Sequence, residues 1–217
     1  MYPGDSYKHQ GLRTNLVKEI RRKGIVDENV LEALGRVPRH LFMDSSFIKF
    51  AYQDNAFPIS SGQTISQPYT VAFQTELLNV EEGMKVLEVG TGSGYQAAVL
   101  MEMGLRVFTI ERIRSLFLES QVRLNKIGYS GHFLFGDGYE GNASYGPYDR
   151  ILVTAGAREL PEKLKDQLKI GGILVVPVGV SGHQEMIRCV RTGISDFEIT
   201  THGGFMFVPM LKGKRES

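Results

Sequence analysis

Apolar positions recur at helical spacing through the first eighty residues and then give way to short apolar runs separated by glycine turns. Leu12, Leu16 and Ile20 share one helix face. Asp27 precedes a second helical stretch carrying Val30, Leu31 and Leu34, which stops before Pro38. Residues 50–66 hold Asp54, Asn55, Pro58, Ser60, Ser61 and Gly62 without any period, which predicts a long ordered loop. Pro68, whose ring presets the dihedral of a first helical position, opens a third helix to Leu78.

From Met84 strand and helix patterns alternate. The run Lys85–Val89 leads through a glycine turn into a helix to Met103 and a strand at 106–110. A helix facing inward through Ile113, Leu116, Phe117, Leu124 and Ile127 follows, then strands at 133–135 and 150–154, a helix at 161–168 ending near Gly171-Gly172, and a strand at 173–177. Segments 186–191, 197–202 and 205–208 show no helical period and predict a terminal antiparallel hairpin. This order predicts an α/β fold: a Rossmann-like, mostly parallel sheet with helices on both faces, a C-terminal antiparallel hairpin and an N-terminal helical extension. No repeat or linker divides the chain, so one domain is expected over 1–217, with N-terminal helices and a substrate-side loop at 1–80 and a cofactor-binding core at 81–217.

Composition removes several function classes. Lys plus Arg number 25 against 24 Asp plus Glu, and a formal net charge of +1 provides no field to draw in nucleic acid or an anionic membrane. The single cysteine, Cys189, forms no internal disulfide and falls in a predicted strand, where core packing is expected. The five histidines lack the spacings of a metal site, so no metal is expected. The segment 1–13 is polar, and no apolar run approaches the roughly 18 to 20 residues of a membrane span. A cytoplasmic monomer without nucleic-acid or membrane partners is the expectation.

Candidate chemistry lies at the strand ends. Val86-Leu87-Glu88-Val89-Gly90-Thr91-Gly92-Ser93-Gly94 is a strand running into a G-x-G-x-G turn that opens a helix. Glycines let the backbone turn tightly and approach a ligand without a Cβ in the way, and the following helix offers free N–H groups and a positive dipole end. Gly90, Thr91, Gly92, Ser93 and Gly94 thus form a candidate cradle for a carboxylate-bearing or anionic cofactor. Glu111 closes the next strand, where a carboxylate can accept from both hydroxyls of a ribose. After the following strand comes Gly136-Asp137-Gly138, in which Asp137 can accept from an adenine amino group while glycine leaves room for the ring. Taken singly, these are a common connection, a solvated strand end and a plain turn. Their joint placement at the carboxyl ends of consecutive parallel strands disfavours that reading. A dinucleotide would need a second mononucleotide half, and the sheet turns antiparallel too soon for one. No Gly-Lys-Ser/Thr follows the turn, as a P-loop requires, and Ser93 lacks the flanks of a nucleophile elbow. S-adenosylmethionine is the best-fitting ligand.

At these residues the sequence resembles the protein-L-isoaspartate (D-aspartate) O-methyltransferase family of class I methyltransferases. The resemblance runs through Val37-Pro38-Arg39, Ala51-Tyr52, Gly62-Gln63-Thr64-Ile65-Ser66-Gln67-Pro68, the cofactor loop, Gly136-Asp137-Gly138-Tyr139, Tyr148-Asp149-Arg150-Ile151, Gly171-Gly172 and Phe207-Val208-Pro209. Thr-Ile-Ser-Gln-Pro is the part that separates this family from other methyltransferases. The resemblance implies methyl transfer from S-adenosylmethionine to the free carboxylate of L-isoaspartyl residues in damaged proteins and peptides. It implies that Ser66 is the active-site serine, that Gln67, Tyr69 and Thr70 lie beside the cofactor and substrate, and that Gly90, Gly92, Gly94, Glu111, Asp137 and Gly138 bind the cofactor. Two positions depart from the pattern: Arg158 stands where proline is usual, and Met206 where arginine is frequent. Read without the family, Ser66 is an obvious helix N-cap before Pro68. The aperiodic stretch 53–67 reads either as a surface loop or as a lid over the site. Two other functions stay open: a methyltransferase for a small molecule or RNA, which would not need Ser66, and a non-catalytic S-adenosylmethionine-binding module, which would show no turnover.

Overall fold

The computed structural model describes residues 4–180 and 182–216. Helices α1 (Tyr7–Arg22) and α2 (Glu28–Arg36) lead into short 3-10 turns, a two-stranded ribbon of β1 (Phe57–Pro58) and β2 (Thr64–Ile65), and helix α3 (Pro68–Leu78). Strand β3 (Lys85–Val89), α4 (Tyr95–Glu102), β4 (Arg106–Glu111), α5 (Arg114–Lys126), β5 (His132–Phe135) and β6 (Tyr148–Val153) form the alternating core. It ends with α6 (Glu162–Asp166), β7 (Leu168–Val180), β8 (His183–Arg191) and β9 (Phe197–Phe205). Asp27 caps α2 as its position suggested, its side chain accepting from the N–H groups of Asn29 and Val30.

The main sheet has the order β5-β4-β3-β6-β7-β8-β9, parallel from β5 to β7 and antiparallel through β8 and β9. The chain runs outward from β3 to β5, then returns to the other side of β3 as β6. At that reversal the carboxyl ends of β3 and β6 part, and in open α/β sheets this opening is where ligands bind. Successive β3 side chains serve opposite cores. Val86 packs with Leu16, Ile20, Leu34 and Leu100, so the N-terminal helices share one apolar cluster with the sheet. Leu87 packs on the other face with Ile151, Leu174 and Cys189.

Two expectations about the C-terminal third need correction. The helix expected over 161–168 covers only Glu162–Asp166, and Leu168 already belongs to β7, paired with Tyr148. Gly171 and Gly172 do not end that helix. They sit in the strand as an irregularity that shifts the register before Ile173 pairs with Arg150, with Gly171 at φ +81°. The terminal hairpin is a three-stranded meander, and residues 207–208 lie beyond its last strand. There the backbone turns back onto the core, with Gly156 donating to the Val208 carbonyl at 2.8 Å and Met210 donating to the Gly156 carbonyl at 2.8 Å.

The fold also gathers residues that sequence spacing leaves apart. Asp5, His9 and His40 offer ligand-type atoms within 4.8 Å of one another. Both Asp5 carboxylate oxygens accept from the Arg13 guanidinium, at 3.0 and 2.9 Å. Burial pushes the Asp5 pKa up, but the hydrogen bonds and charge of Arg13 outweigh it and hold the carboxyl below its ordinary range. Among the described residues no helix is long and apolar enough to cross a membrane.

Candidate active site

The carboxyl ends of β3, β4 and β6 open into a cleft walled by the glycine loop, Glu111, Gly138, the ribbon residues Gln63, Thr64 and Ile65, and the returning tail from Val208 to Leu211. Gly90, Gly92 and Gly94 adopt φ of +101°, +52° and +88°, dihedrals that L side chains rarely take. At Gly90 the requirement is doubled, because a Cβ there would lie 2.5 Å from Thr154 Oγ1. Gly94 occupies the N-cap of α4, and the preceding Ser93 hydroxyl accepts from the Tyr95 N–H at the start of that helix.

Glu111 is buried at the end of β4. Its carboxylate accepts from the Gly92 N–H at 3.0 Å and the Ile113 N–H at 2.9 Å, which fixes it at the cleft wall. Beneath the loop lies a second carboxyl, Glu88, at 0 % exposure. Thr109 Oγ1 donates to it at 2.5 Å, and Thr91 Oγ1 stands 2.5 Å from Thr109 Oγ1, so two hydroxyls tie the cofactor loop to the sheet. Burial pushes the Glu88 pKa up to about 8, with the Thr109 hydrogen bond opposing and the Glu111 charge adding to the rise. The folded carboxyl therefore keeps its proton to about pH 8, whereas the unfolded chain gives it up near 4.5. The stability this group contributes is fully present below that lower value and is lost as pH rises through about 8. Glu88→Gln should flatten the fall in Tm across that window, as thermal unfolding at a series of pH values would record.

Gly138 joins the cleft wall, where a Cβ would lie 2.5 Å from Val89 Cγ1. Asp137 is not among the residues that line the cleft. Its carboxylate accepts from the Tyr139 N–H at 2.9 Å and the Gly213 N–H at 2.6 Å, tying the tail to the turn after β5. Gly94 likewise stands behind the wall, close to Leu124 of α5. Thr91 and Ser93 are at the wall, and the Ser93 hydroxyl accepts from the Tyr95 N–H at 3.3 Å.

A second, wider groove adjoins the cleft, running between the start of α3 and the ends of β8 and β9. Gln67, Tyr69 and Thr70 line this groove and are not among the residues lining the cleft, and the Gln67 amide donates to Asp54 Oδ2 at 3.0 Å. Ser66 and Thr64 line both spaces. The expectation that Ser66 caps α3 is not met, because the N-cap position belongs to Gln67 and the Tyr69 N–H is taken by Asp54 Oδ1 at 2.7 Å. Among the described residues the Ser66 hydroxyl has no hydrogen-bond partner, so it is free to bind a group where the two spaces meet. Sequence reasoning missed Asp54, the ribbon and the tail residues Val208 to Leu211. Asp54 looked like one turn former among several, and nothing local announces that a distant tail returns to a site.

The 53–67 segment lies across this region. Ser60 donates to Glu119 at 3.1 Å, Ser61 and Ser115 hydroxyls are 3.1 Å apart, and Ile59 approaches Gly92, so the segment bridges from α5 to the glycine loop.

Comparisons with known proteins place the chain in a family. The profile of the family described as protein-L-isoaspartate(D-aspartate) O-methyltransferase (PCMT) matches residues 11–215. A protein-L-isoaspartate O-methyltransferase of Cytophaga hutchinsonii is 59 % identical over 209 residues, 95 % of this chain and 94 % of its own. One from Christiangramia forsetii is 56 % identical over 97 % of this chain and 99 % of its own. A Plasmodium falciparum protein given the same methyltransferase name, crystallised with S-adenosyl-L-homocysteine, superposes with a TM-score of 0.81 at 25 % identity, covering 92 % of this chain and 98 % of that one. Near-complete coverage at such identities, on a fold whose switch-point cleft carries the glycine loop and buried acid, makes this chain a member of the protein-L-isoaspartate (D-aspartate) O-methyltransferase family.

Proposed function

We propose that the protein transfers the methyl group of S-adenosylmethionine to the free α-carboxylate of L-isoaspartyl residues in damaged proteins and peptides. One observation carries the reading: the uncommitted Ser66 hydroxyl stands where the cofactor cleft meets an open groove. The cleft suits the donor. Its glycine cradle and helix N-terminus can receive the amino-acid end, the buried Glu111 carboxylate can accept from ribose hydroxyls, and Gly138 leaves space for a ring. When bound, S-adenosylmethionine supplies a sulfonium methyl group open to in-line displacement by a carboxylate oxygen.

An isoaspartyl carboxylate is already ionised at neutral pH, so no general base is required. Ser66 donates a hydrogen bond that orients it, and its contribution is one of position. The roofing segment from 53 to 67 keeps water away. Attack cancels a negative against a positive charge, and bulk water would favour the separated charges. None of the described residues lining the groove is Lys, Arg, Asp or Glu, and the rings of Tyr69, Phe73 and Phe205 line it, surroundings that suit peptides of varied sequence. The methyl ester then loses methanol in closing to a succinimide, which water reopens in part to ordinary aspartyl. In this reading the chain is a single-domain cytoplasmic monomer over 1–217 that engages neither nucleic acid nor membrane; its near-neutral charge and lone cysteine support this.

The test is transfer of labelled methyl to an isoaspartyl peptide, followed by mild base. A carboxyl ester releases its label as methanol. Label that survives base would not be a carboxyl ester and would remove the reading.

A further inference from the structure

Helix α3 starts at Pro68, two residues after Ser66, and its N-cap residue Gln67 makes no side-chain capping bond. The missing cap comes from elsewhere in the chain. Asp54, whose side chain is only 2 % exposed, turns its carboxylate onto the first turn of α3. Oδ1 accepts from the Tyr69 N–H at 2.7 Å, and Oδ2 accepts from the Gln67 amide at 3.0 Å. The same Gln67 amide reaches the Asp54 backbone carbonyl at 3.1 Å. Lys23 at the end of α1 pairs with Oδ2 at 2.5 Å. Arg39, fully buried, donates to the Asn55 carbonyl at 3.2 Å and stacks over Tyr95 at the start of α4, 4.8 Å from its centroid. The loop carrying Asp54 is thus anchored to the two helices whose N-termini border the site.

We propose that Asp54 is a positioning residue for methyl transfer: it caps α3 in trans and holds the backbone that aims Ser66 at the junction of cleft and groove. The inference rests on Ser66 meeting the substrate carboxylate. Its physical basis is that a carboxylate at a helix N-terminus is favoured by the unsatisfied N–H groups and the dipole there. Three donors converge on one buried group, so the turn between β2 and α3 has a single arrangement. Asp54 is absent from the cofactor cleft's walls, which separates its role from cofactor binding.

The test compares wild type, Asp54→Ala, Asp54→Asn and the double variant Asp54→Asn/Gln67→Glu. Asp54→Ala should lower kcat on an isoaspartyl peptide about 10- to 100-fold, the loss expected of hydrogen bonds to a charged group. S-adenosylmethionine Kd, read by calorimetry, should stay within about threefold, since no cofactor-cleft contact is removed. Asp54→Asn keeps the acceptor for Tyr69 but sets its NH2 against the Gln67 NH2. Adding Gln67→Glu restores the side-chain donor–acceptor pair but gives up the Gln67 bond to the Asp54 carbonyl, so it should recover part of the activity lost in Asp54→Asn. Amide hydrogen exchange gives a reading without substrate: residues 66–71 should exchange about tenfold faster in Asp54→Ala, while α4 stays unchanged. Wild-type kcat and unchanged exchange in Asp54→Ala would overturn the proposal, as would equal losses in cofactor affinity and kcat without rescue by the double variant. Failure of the wild type to methylate any isoaspartyl peptide would count against the substrate assignment instead, and the exchange result would still decide whether Asp54 holds the turn.

Discussion

Gly90→Ala is expected to weaken S-adenosylmethionine binding about 100-fold while leaving a folded protein. Two costs combine at this position. The backbone sits at φ +101°, which for an L residue costs roughly 1–2 kcal/mol. The new Cβ would also meet Thr154 Oγ1 at 2.5 Å, and that hydroxyl is pinned by donating to the carbonyls of Val89 at 3.0 Å and Gly90 at 2.7 Å. Relief requires the loop to move away from β6, which deforms the glycine wall of the cleft. A total near 3 kcal/mol corresponds to about two decades in Kd. Calorimetric titration would measure it, beside circular dichroism to show the fold retained. A Kd within threefold of wild type would mean that the loop does not cradle the cofactor.

Ser66→Ala should have the opposite signature: cofactor affinity preserved and kcat/KM for an isoaspartyl peptide lowered about 10- to 100-fold, the range for a hydrogen bond to a charged acceptor. The Ser66 hydroxyl makes no bond within the described residues, so its removal leaves no stranded partner in the free protein and little change in stability is expected. The pairing of an intact Kd with a lowered kcat/KM is diagnostic. A substrate-orienting group produces it, whereas a helix cap would lower the unfolding midpoint instead. Equal activity of Ser66→Ala and wild type would favour a methyltransferase for a different acceptor.

The strand, glycine turn and helix start at the end of β3 were legible in the sequence because their determinants are local. The Val86 to Gly94 run is a strand, a turn and a helix start in nine residues, and each glycine answers a backbone demand within that window. Asp27 and Pro68 marked helix starts for the same reason. Non-local contacts were hidden. Gly171-Gly172 looked like a helix end, and only pairing with β6 turns it into a strand irregularity. The bond that Asp137 accepts from the Gly213 N–H, 76 residues away, has no local signal. Gln67 was grouped with the cofactor residues until Asp54 drew its amide aside. The capping alternative for Ser66 fails for the same reason, because the carboxylate that caps α3 arrives from another turn of the chain.

Rates of labelled methyl transfer to an isoaspartyl peptide and to its ordinary aspartyl twin, run side by side, test the central claim most directly. Transfer to the isoaspartyl form alone is the predicted result, since only there does the peptide backbone present a free α-carboxylate at the residue. Equal transfer to both, or to neither with S-adenosylmethionine binding intact, would contradict it.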